Sequence, residues 1–399
     1  MSGVLDVGQF AAAFTARFGQ QPRLFRAPAR VNIIGEHTDY NGGLVLPVAT
    51  APHTWAAIAP CVGTTVTVYS ANFAGTVQFD SKVPQAPGAT DWSAYARAVL
   101  RVLLETGVPI KGANILIQGD IPFGGGLSSS ASFEVALALA LTATAGSAQD
   151  SRQIALLCQR AESEYVGVRC GIMDQYAIAC SAASSAMLLD CQSISHHAVP
   201  LPESLRLVVI ASSVRHSLGQ SGYNQRRAEC AAALGKLRGR WPQLQTLRDL
   251  ELGVAESAAA ELGDLLWRRV RHVVTENRRV LAAERALRDG DARALGALLS
   301  ASHHSLRDDF EVSCQELDTM VEAACAAAGV LGARMVGAGF GGCMLAALDA
   351  QNFSHNLAQL LERMSGILGH QPWHQVVEAC GAAAELPAAT WARAGVNAS

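Results

Sequence analysis

Asp174 lies in the segment Gly167-Val168-Arg169-Cys170-Gly171-Ile172-Met173-Asp174-Gln175-Tyr176, after glycines and beside apolar neighbours. That setting suits a carboxylate held against a reacting hydroxyl, to orient it or accept its proton. It equally suits a helix-capping aspartate. Glu162 falls on the apolar stripe of the preceding helical segment with Ala155, Cys158 and Tyr165. A carboxylate there needs a cation, supplied by a bound Mg2+ or by an arginine.

Two further clusters offer ligand chemistry. In Gly119-Asp120-Ile121-Pro122-Phe123-Gly124-Gly125-Gly126-Leu127-Ser128-Ser129-Ser130-Ala131-Ser132, glycines let the backbone approach a ligand, and a helix start adds free N–H groups and serine hydroxyls, which together suit a phosphate. The plainer reading is a Gly-rich turn with an N-cap, for which one serine suffices. It is not a lysine-bearing phosphate loop, because Lys82, Lys111 and Lys236 are the only lysines and none follows such a loop. The run Arg30-Val31-Asn32-Ile33-Ile34-Gly35-Glu36-His37-Thr38-Asp39-Tyr40-Asn41-Gly42-Gly43 is too polar for a core strand. It carries the donors and acceptors that adjacent sugar hydroxyls need, or it is a solvated loop in which Glu36 and Asp39 pair with Arg30.

Gly337-Ala338-Gly339-Phe340-Gly341-Gly342-Cys343 satisfies GxGxxG but comes late, without the acidic residue that completes a dinucleotide unit. It remains a turn over a ligand or a tight strand connection. His196-His197 and His303-His304 do not form a metal-binding pattern, and the ten scattered cysteines include no CxxC pair.

The elements that must position these residues are partly visible. Thr64 to Ser70 and Asn114 to Gln118 have strand character. Asp91 can cap a helix whose stripe runs Trp92, Tyr95, Ala96, Val99, Leu100, Leu103, Leu104, with Gly107 as its stop. A second helix is expected from Arg152 to Tyr165, long helical stretches from Asn224 to Leu299, and another helix near Asn356 to Arg363. The polar segment from Gln192 to Ser204 divides the chain into domains at 1–200 and 201–399.

Composition narrows the class. The 399 residues carry 31 Lys+Arg against 34 Asp+Glu, a net charge of -3 that excludes nucleic-acid binding by bulk charge. With 50% hydrophobic and 16% charged residues the chain can build a core. No apolar stretch is long enough to span a membrane and no secretory signal is visible, so the expectation is a cytoplasmic protein.

In this order the four clusters resemble the GHMP small-molecule kinases, and Arg30 to Asn41 is similar to the sugar signature of that family's galactose-phosphorylating branch. Gly124 to Ser132 matches the family's phosphate loop, Cys170 to Gln175 its base motif, and Gly337 to Cys343 its third motif. The likeness extends to Val214-Arg215-His216-Ser217 with Tyr223 and to Ser305 through Cys314, nearly the whole chain. It implies an α+β fold in two lobes, S5-like then ferredoxin-like, with the active site between them. It also implies phosphoryl transfer from MgATP to the C1 hydroxyl of α-D-galactose, the first committed step of the Leloir pathway.

Carried over by that resemblance, Asp174 would orient or deprotonate the hydroxyl, while Arg30 would keep Asp174 ionised and stabilise the moving phosphoryl group. Glu36, His37, Thr38, Asp39, Gly171 and Tyr223 would bind the sugar. Gly124, Gly125, Gly126, Leu127, Ser128, Ser129 and Ser130 would wrap the phosphates. Ser130 and Glu162 would hold Mg2+ directly or through water, and Ser70, Trp92 and Tyr95 fall where family members line the adenine pocket. The implied partners are the small molecules galactose and ATP, on a monomer or weak homo-oligomer.

Two other readings stand beside it: a sugar 1-kinase for N-acetylgalactosamine or L-arabinose, and a non-catalytic galactose sensor on the same fold. Such sensors lack a Ser-Ala pair in the phosphate loop, and Ser130-Ala131 is present here. One departure is Ala29, where the family usually has glycine before the arginine; it matters only if the backbone needs positive φ.

Overall fold

The computed structural model describes residues 5–83, 91–122, 126–147, 149–215 and 219–388. Gly124, Gly125, His216 and Ser217, all singled out from the sequence, lie outside the described residues. The first half runs α1 (Val7–Phe18), β1 (Arg23–Asn32), β2 (Leu44–Val45), β3 (Pro47–Pro60), β4 (Thr65–Ser70), β5 (Gly75–Asp80), α2 (Ser93–Glu105), β6 (Ala113–Gly119), α3 (Ser129–Thr144), α4 (Ser151–Ala161), α5 (Met173–Cys180), β7 (Ser185–Asp190) and β8 (Ser195–Pro200). The second runs β9 (Leu205–Arg215), α6 (Gly219–Arg240), α7 (Leu252–Glu256), α8 (Ala259–Arg288), α9 (Ala292–Asp308), α10 (Gln315–Cys325), β10 (Val330–Val336), β11 (Gly341–Asp349), α11 (Phe353–Leu368), β12 (His374–Val376) and β13 (Ala384–Leu386).

The result is the α+β architecture expected. One sheet has the order β13-β1-β3-β6-β4-β5, a second β10-β11-β9-β12, and a small third β2-β7-β8. Among the described residues only β4 and β6 pair in parallel, and β13 returns to pair with β1. Among the described residues no helix is long and apolar enough to cross a membrane.

Strand alternation sorts side chains to two faces of the first sheet. Phe25, Ala56, Ile58, Ile115 and Ile117 pack under α2, α3, α4 and α5, while Leu24, Ala57 and Leu116 pack on Phe10 and Phe14 of α1. In the second sheet Val208, Ile210, Met344 and Ala346 face α10 and α11. Its other face, with Val209, Cys343 and Leu345, meets Val31 and Ile33 from the end of β1 and Val280 and Ala283 of α8. The polar run that follows β1 is therefore enclosed between the two halves.

Helix α2 follows its stripe, burying Ala96, Val99, Leu100 and Leu103, each large member worth about 2 kcal/mol of apolar burial. Asp91 accepts from Ser93 N and Oγ at 2.9 and 2.6 Å, and Gly107 turns out of the helix at φ 80°. Helix α4 starts from an Asp150–Gln153 capping box, but the expected helix to Tyr165 does not continue as α. Glu162 to Val166 form a single π turn, which accommodates an extra residue; Glu162 itself keeps the phase of Ala155 and Cys158, is buried, and stands at the wall of a cleft. Ala29 is a buried strand residue without positive φ, and its methyl is accommodated in β1.

Candidate active site

A cleft of about 480 Å³ opens where the starts of α3 and α5, the segment after β1 and the β10–β11 connection converge. Its wall is built around one ion pair. Arg30, from near the end of β1, donates from Nε and Nη2 to the two carboxylate oxygens of Asp174 at 2.8 and 2.7 Å. Its third arm donates from Nη1 to Gly126 O at 2.5 Å, joining the acid to the Gly-rich loop. This planar fork suits a carboxylate in a way an ammonium does not.

Ser128 sits in the left-handed region (φ 57°, ψ 49°) and does not cap its own helix. Its hydroxyl instead donates to Asp174 Oδ2 at 2.5 Å. The first-turn N–H groups of α3 are therefore not capped by that serine side chain. Gly126, Leu127, Ser128, Ser129 and Ser130 all line the cleft.

The polar run after β1 is not a solvated loop paired with Arg30. Glu36 is buried, accepting from Asn32 Nδ2 at 2.8 Å, Arg334 Nη2 at 2.7 Å and Gly337 N at 2.8 Å. His37 contacts Tyr40 OH (2.9 Å) through Nδ1 and Ala338 O (3.1 Å) through Nε2. Burial, and then the neighbouring His272, push its pKa down to about 3, so it is neutral. With Tyr40, Tyr223 and Phe310 it forms an aromatic wall, ring centroids 4.9 to 5.9 Å from His37. Burial, then the Asp174 charge, raise Asp39 to about 7.

Gly171 is required at its position because a Cβ there would meet Asp39 Oδ2 at 1.9 Å. Asp39, Gly171, Glu36, His37 and Tyr223 all line the cleft. Thr38 does not: its hydroxyl is bonded back to Gly35 O and Leu44 O at 2.8 and 2.7 Å, closing the turn. A short β-hydroxyl between two main-chain acceptors satisfies itself locally, which the run of polar residues concealed.

Of the residues expected around adenine, Tyr95 lines the cleft, whereas Ser70 and Trp92 do not. Ser70 is buried at the end of β4, and Trp92 stacks on Phe73 (6.2 Å, 3° between planes).

Ser130 and Glu162 meet at the opposite wall. Glu162 accepts from Gln175 Nε2 at 2.6 Å and from Ser130 and Cys170; among the described residues none of its partners is an arginine. Burial, then Asp174, lift its pKa to about 7. Behind it Glu134 accepts from the same Gln175 Nε2 at 3.1 Å, its other oxygen unpartnered, and burial followed by Glu162 drives its pKa far up. Glu162 and Asp174 face one cleft, whereas Glu134 lies behind Gln175 and does not line it. Among the described residues no three His, Cys, Asp or Glu side chains form a metal cage. Mg2+ shared with phosphates needs only one or two protein oxygens, a number that Ser130 and Glu162 would supply.

The late Gly-rich turn joins two strands and is also part of the cleft. Gly337 N reaches Glu36, Ala338 O reaches His37, and Gly337 packs so close to Gly126 that a Cβ would lie 3.1 Å from its Cα. It couples the polar pocket to the phosphate-type loop. Phe310, Tyr40 and Ala338 were not singled out from the sequence as site residues; only their placement in the resembling segments hinted at them.

Residues 12–60 match the galactokinase galactose-binding signature, 94–182 the GHMP kinases N terminal domain and 283–379 the GHMP kinases C terminal. The chain is 43% identical over 363 residues to the galactokinase of Chloroflexus aggregans, covering 90% of this chain and 92% of that one. It is 41% identical over 366 residues to human galactokinase, covering 89% and 91%. The crystal structure of Lactococcus lactis galactokinase complexed with galactose superposes with a TM-score of 0.90 at 35% identity, over 95% of this chain and 99% of that one. Mevalonate kinase of Methanococcus jannaschii, at 15% identity and TM-score 0.66, covering 90% and 99%, shares the fold.

Proposed function

The chain belongs to the GHMP kinases and, within them, to the galactokinases, and from that premise we propose how its own residues carry out the reaction. The enzyme transfers a phosphoryl group from ATP to the C1 hydroxyl of galactose. The observation that carries the residue assignment is the Arg30–Asp174–Ser128 constellation, which stands between the phosphate-type loop and the pocket of Glu36, His37, Asp39 and Tyr223.

In this reading Asp174 accepts a hydrogen bond from the C1 hydroxyl and aligns its oxygen for attack. Arg30 holds the carboxylate by two bonds, which fixes the direction of its oxygens and suits a positioning role. Phosphoryl transfer asks chiefly for alignment and neutralised charge, and the same guanidinium offers that charge beside the phosphate loop. Leu127, Ser128, Ser129 and Ser130 surround the phosphates, with Gly124 and Gly125 assigned by motif. Ser130 and Glu162 would hold Mg2+, which when bound screens the phosphate charge. Glu36, His37, Asp39 and Tyr223 take the sugar hydroxyls, His37 as a neutral donor or acceptor.

The test is ADP release in a coupled assay with galactose, glucose, N-acetylgalactosamine, L-arabinose or no sugar. Galactose-dependent release supports the assignment. Equal release with every sugar, or none with galactose, overturns it.

Gly171→Ala forces the Asp39 carboxylate aside, and losing a hydrogen bond to a charged group costs about 2 kcal/mol, so the galactose KM should rise about 10- to 100-fold. The ATP KM should hold; an unchanged galactose KM would place the sugar elsewhere.

Asp39 also sets a pH dependence. Its folded pKa of about 7 lies above the 3.8 of a free carboxyl, so it binds a proton in the folded protein that it releases when unfolded. Its contribution to stability is therefore fully present below about 3.8 and is lost as pH rises towards about 7. Ionised, it accepts hydroxyl hydrogens better, so kcat/KM for galactose should rise through about pH 7. Asp39→Asn should lose that rise; a profile unchanged in the variant assigns the ionisation to another group.

We also place the enzyme in the cytoplasm, as a monomer or weak homo-oligomer, with lobes at 1–200 and 201–399. The ten cysteines, all free, support a reducing compartment.

A further inference from the structure

The sugar loop leaves β1 and returns through β2, and its ends are held from outside the sheet. Helix α8, which begins its regular course after Gly263 (φ 73°, ψ 163°), presents His272, Glu276, Asn277 and Val280 along one face. The three polar members are buried, yet none lines the cleft. Each makes a hydrogen bond to the loop's main chain. His272 Nε2 lies 3.1 Å from Glu36 O, Glu276 Oε1 accepts from Gly35 N at 3.0 Å, and Asn277 Oδ1 accepts from Leu44 N at 2.7 Å.

The loop is shaped to receive this face. A Cβ on Gly35 (φ 104°) would meet Leu44 O at 2.6 Å and Val280 Cγ2 at 2.9 Å, and one on Gly43 would meet Asn277 Oδ1 at 2.8 Å. Glu276 is in turn fixed by Ser302 Oγ and Arg279 Nε, both at 2.6 Å. Burial opposes its charge, but Arg279 and then His272 outweigh it and bring its pKa down to about 2. A buried, ionised acid aimed at a main-chain N–H next to Glu36 has no part in phosphoryl transfer, and burying it without function would be costly.

We propose that Glu276 and Asn277 are positioning residues of the sugar loop: they pin its two ends, at Gly35 and Leu44, so that Glu36, His37 and Asp39 stand ready for galactose. The proposal rests on the assignment of those three residues to the sugar. It makes galactose recognition, and not nucleotide binding, depend on a helix of the second half that touches neither substrate.

The experiment measures galactose KM at saturating ATP and ATP KM at saturating galactose for the native enzyme, Glu276→Ala, Glu276→Gln and Asn277→Ala. Removing the charged acceptor of Glu276 should raise the galactose KM about tenfold or more, while the ATP KM stays within about twofold. Glu276→Gln keeps an acceptor for Gly35 N–H and should recover most of the loss. Asn277→Ala should raise the galactose KM severalfold, and it decides the matter if Glu276→Ala does not fold. The proposal is overturned if both KM values move together, if only kcat falls, or if Asn277→Ala leaves galactose KM unmoved. Failure of the sugar assignment looks different: the native enzyme would then show no galactose-dependent ADP release.

Discussion

Asp174→Asn is expected to lower kcat by about 10³-fold or more, within the range for loss of a group that directs proton transfer or attack. The ATP KM should change by less than about threefold, because the main-chain groups of the phosphate loop, Ser129 and Ser130 are left in place. The substitution is nearly isosteric, but it removes the charge that pairs with Arg30 and one of the two oxygens the guanidinium now grips at 2.8 and 2.7 Å. It also disturbs the 2.5 Å bond from Ser128, whose hydroxyl would face an amide. Steady-state kinetics and nucleotide titration on folded protein check it. Turnover within about tenfold of native would remove Asp174 from the centre of the reaction.

Arg30→Lys should be nearly as damaging, although it conserves charge. Arg30 is 4% exposed and divides its donors between Asp174 and Gly126 O, holding the acid and the phosphate loop in one frame. A lysine ammonium cannot span both partners in the plane of the fork. We expect kcat to fall by about 10²- to 10³-fold, the scale for losing a preorganised group that stabilises developing charge. Unlike Asp174→Asn, it should also raise the ATP KM, because the tie to Gly126 is lost. It should lower stability by about 2 kcal/mol, since the half-buried Asp174 carboxylate and Gly126 O lose charge-assisted hydrogen bonds from a buried guanidinium. If kcat and melting temperature both stayed native, the pair would be dispensable.

The motifs were legible because their chemistry is local. Three serines after a glycine run, or Asp174 among glycines, declare themselves within a dozen residues, and the stripe of α2 follows from a period of 3.6. What the sequence left open was also local. Thr38 has the type a sugar contact needs, and its hydroxyl is bonded within its own turn. Of the residues expected around adenine, Tyr95 lines the cleft while Trp92 and Ser70 stand outside its lining. The helix expected through Tyr165 ends in a π turn, whose extra residue no hydrophobic period announces.

Glu276 and Asn277 were passed over altogether, because Arg268 to Arg279 is so rich in charge that it looks like a solvated face. Only packing against the loop shows that this stripe is buried.

By itself, then, the amino-acid order determined the family, the sequence of motifs and the kinds of group available for catalysis, since these depend on residue type and short spacing. Tertiary structure alone decided which groups meet. Arg30 and Asp174 are 144 positions apart, and Glu36 and Arg334 298, and an ion pair across such distances exists only after the sheets and helices have brought the backbone together. The same closure removes water, which is why Asp39 and Glu162 stand near pH 7 while His37 stays neutral: burial is a property of the assembled fold and cannot be assigned to a residue in an extended chain.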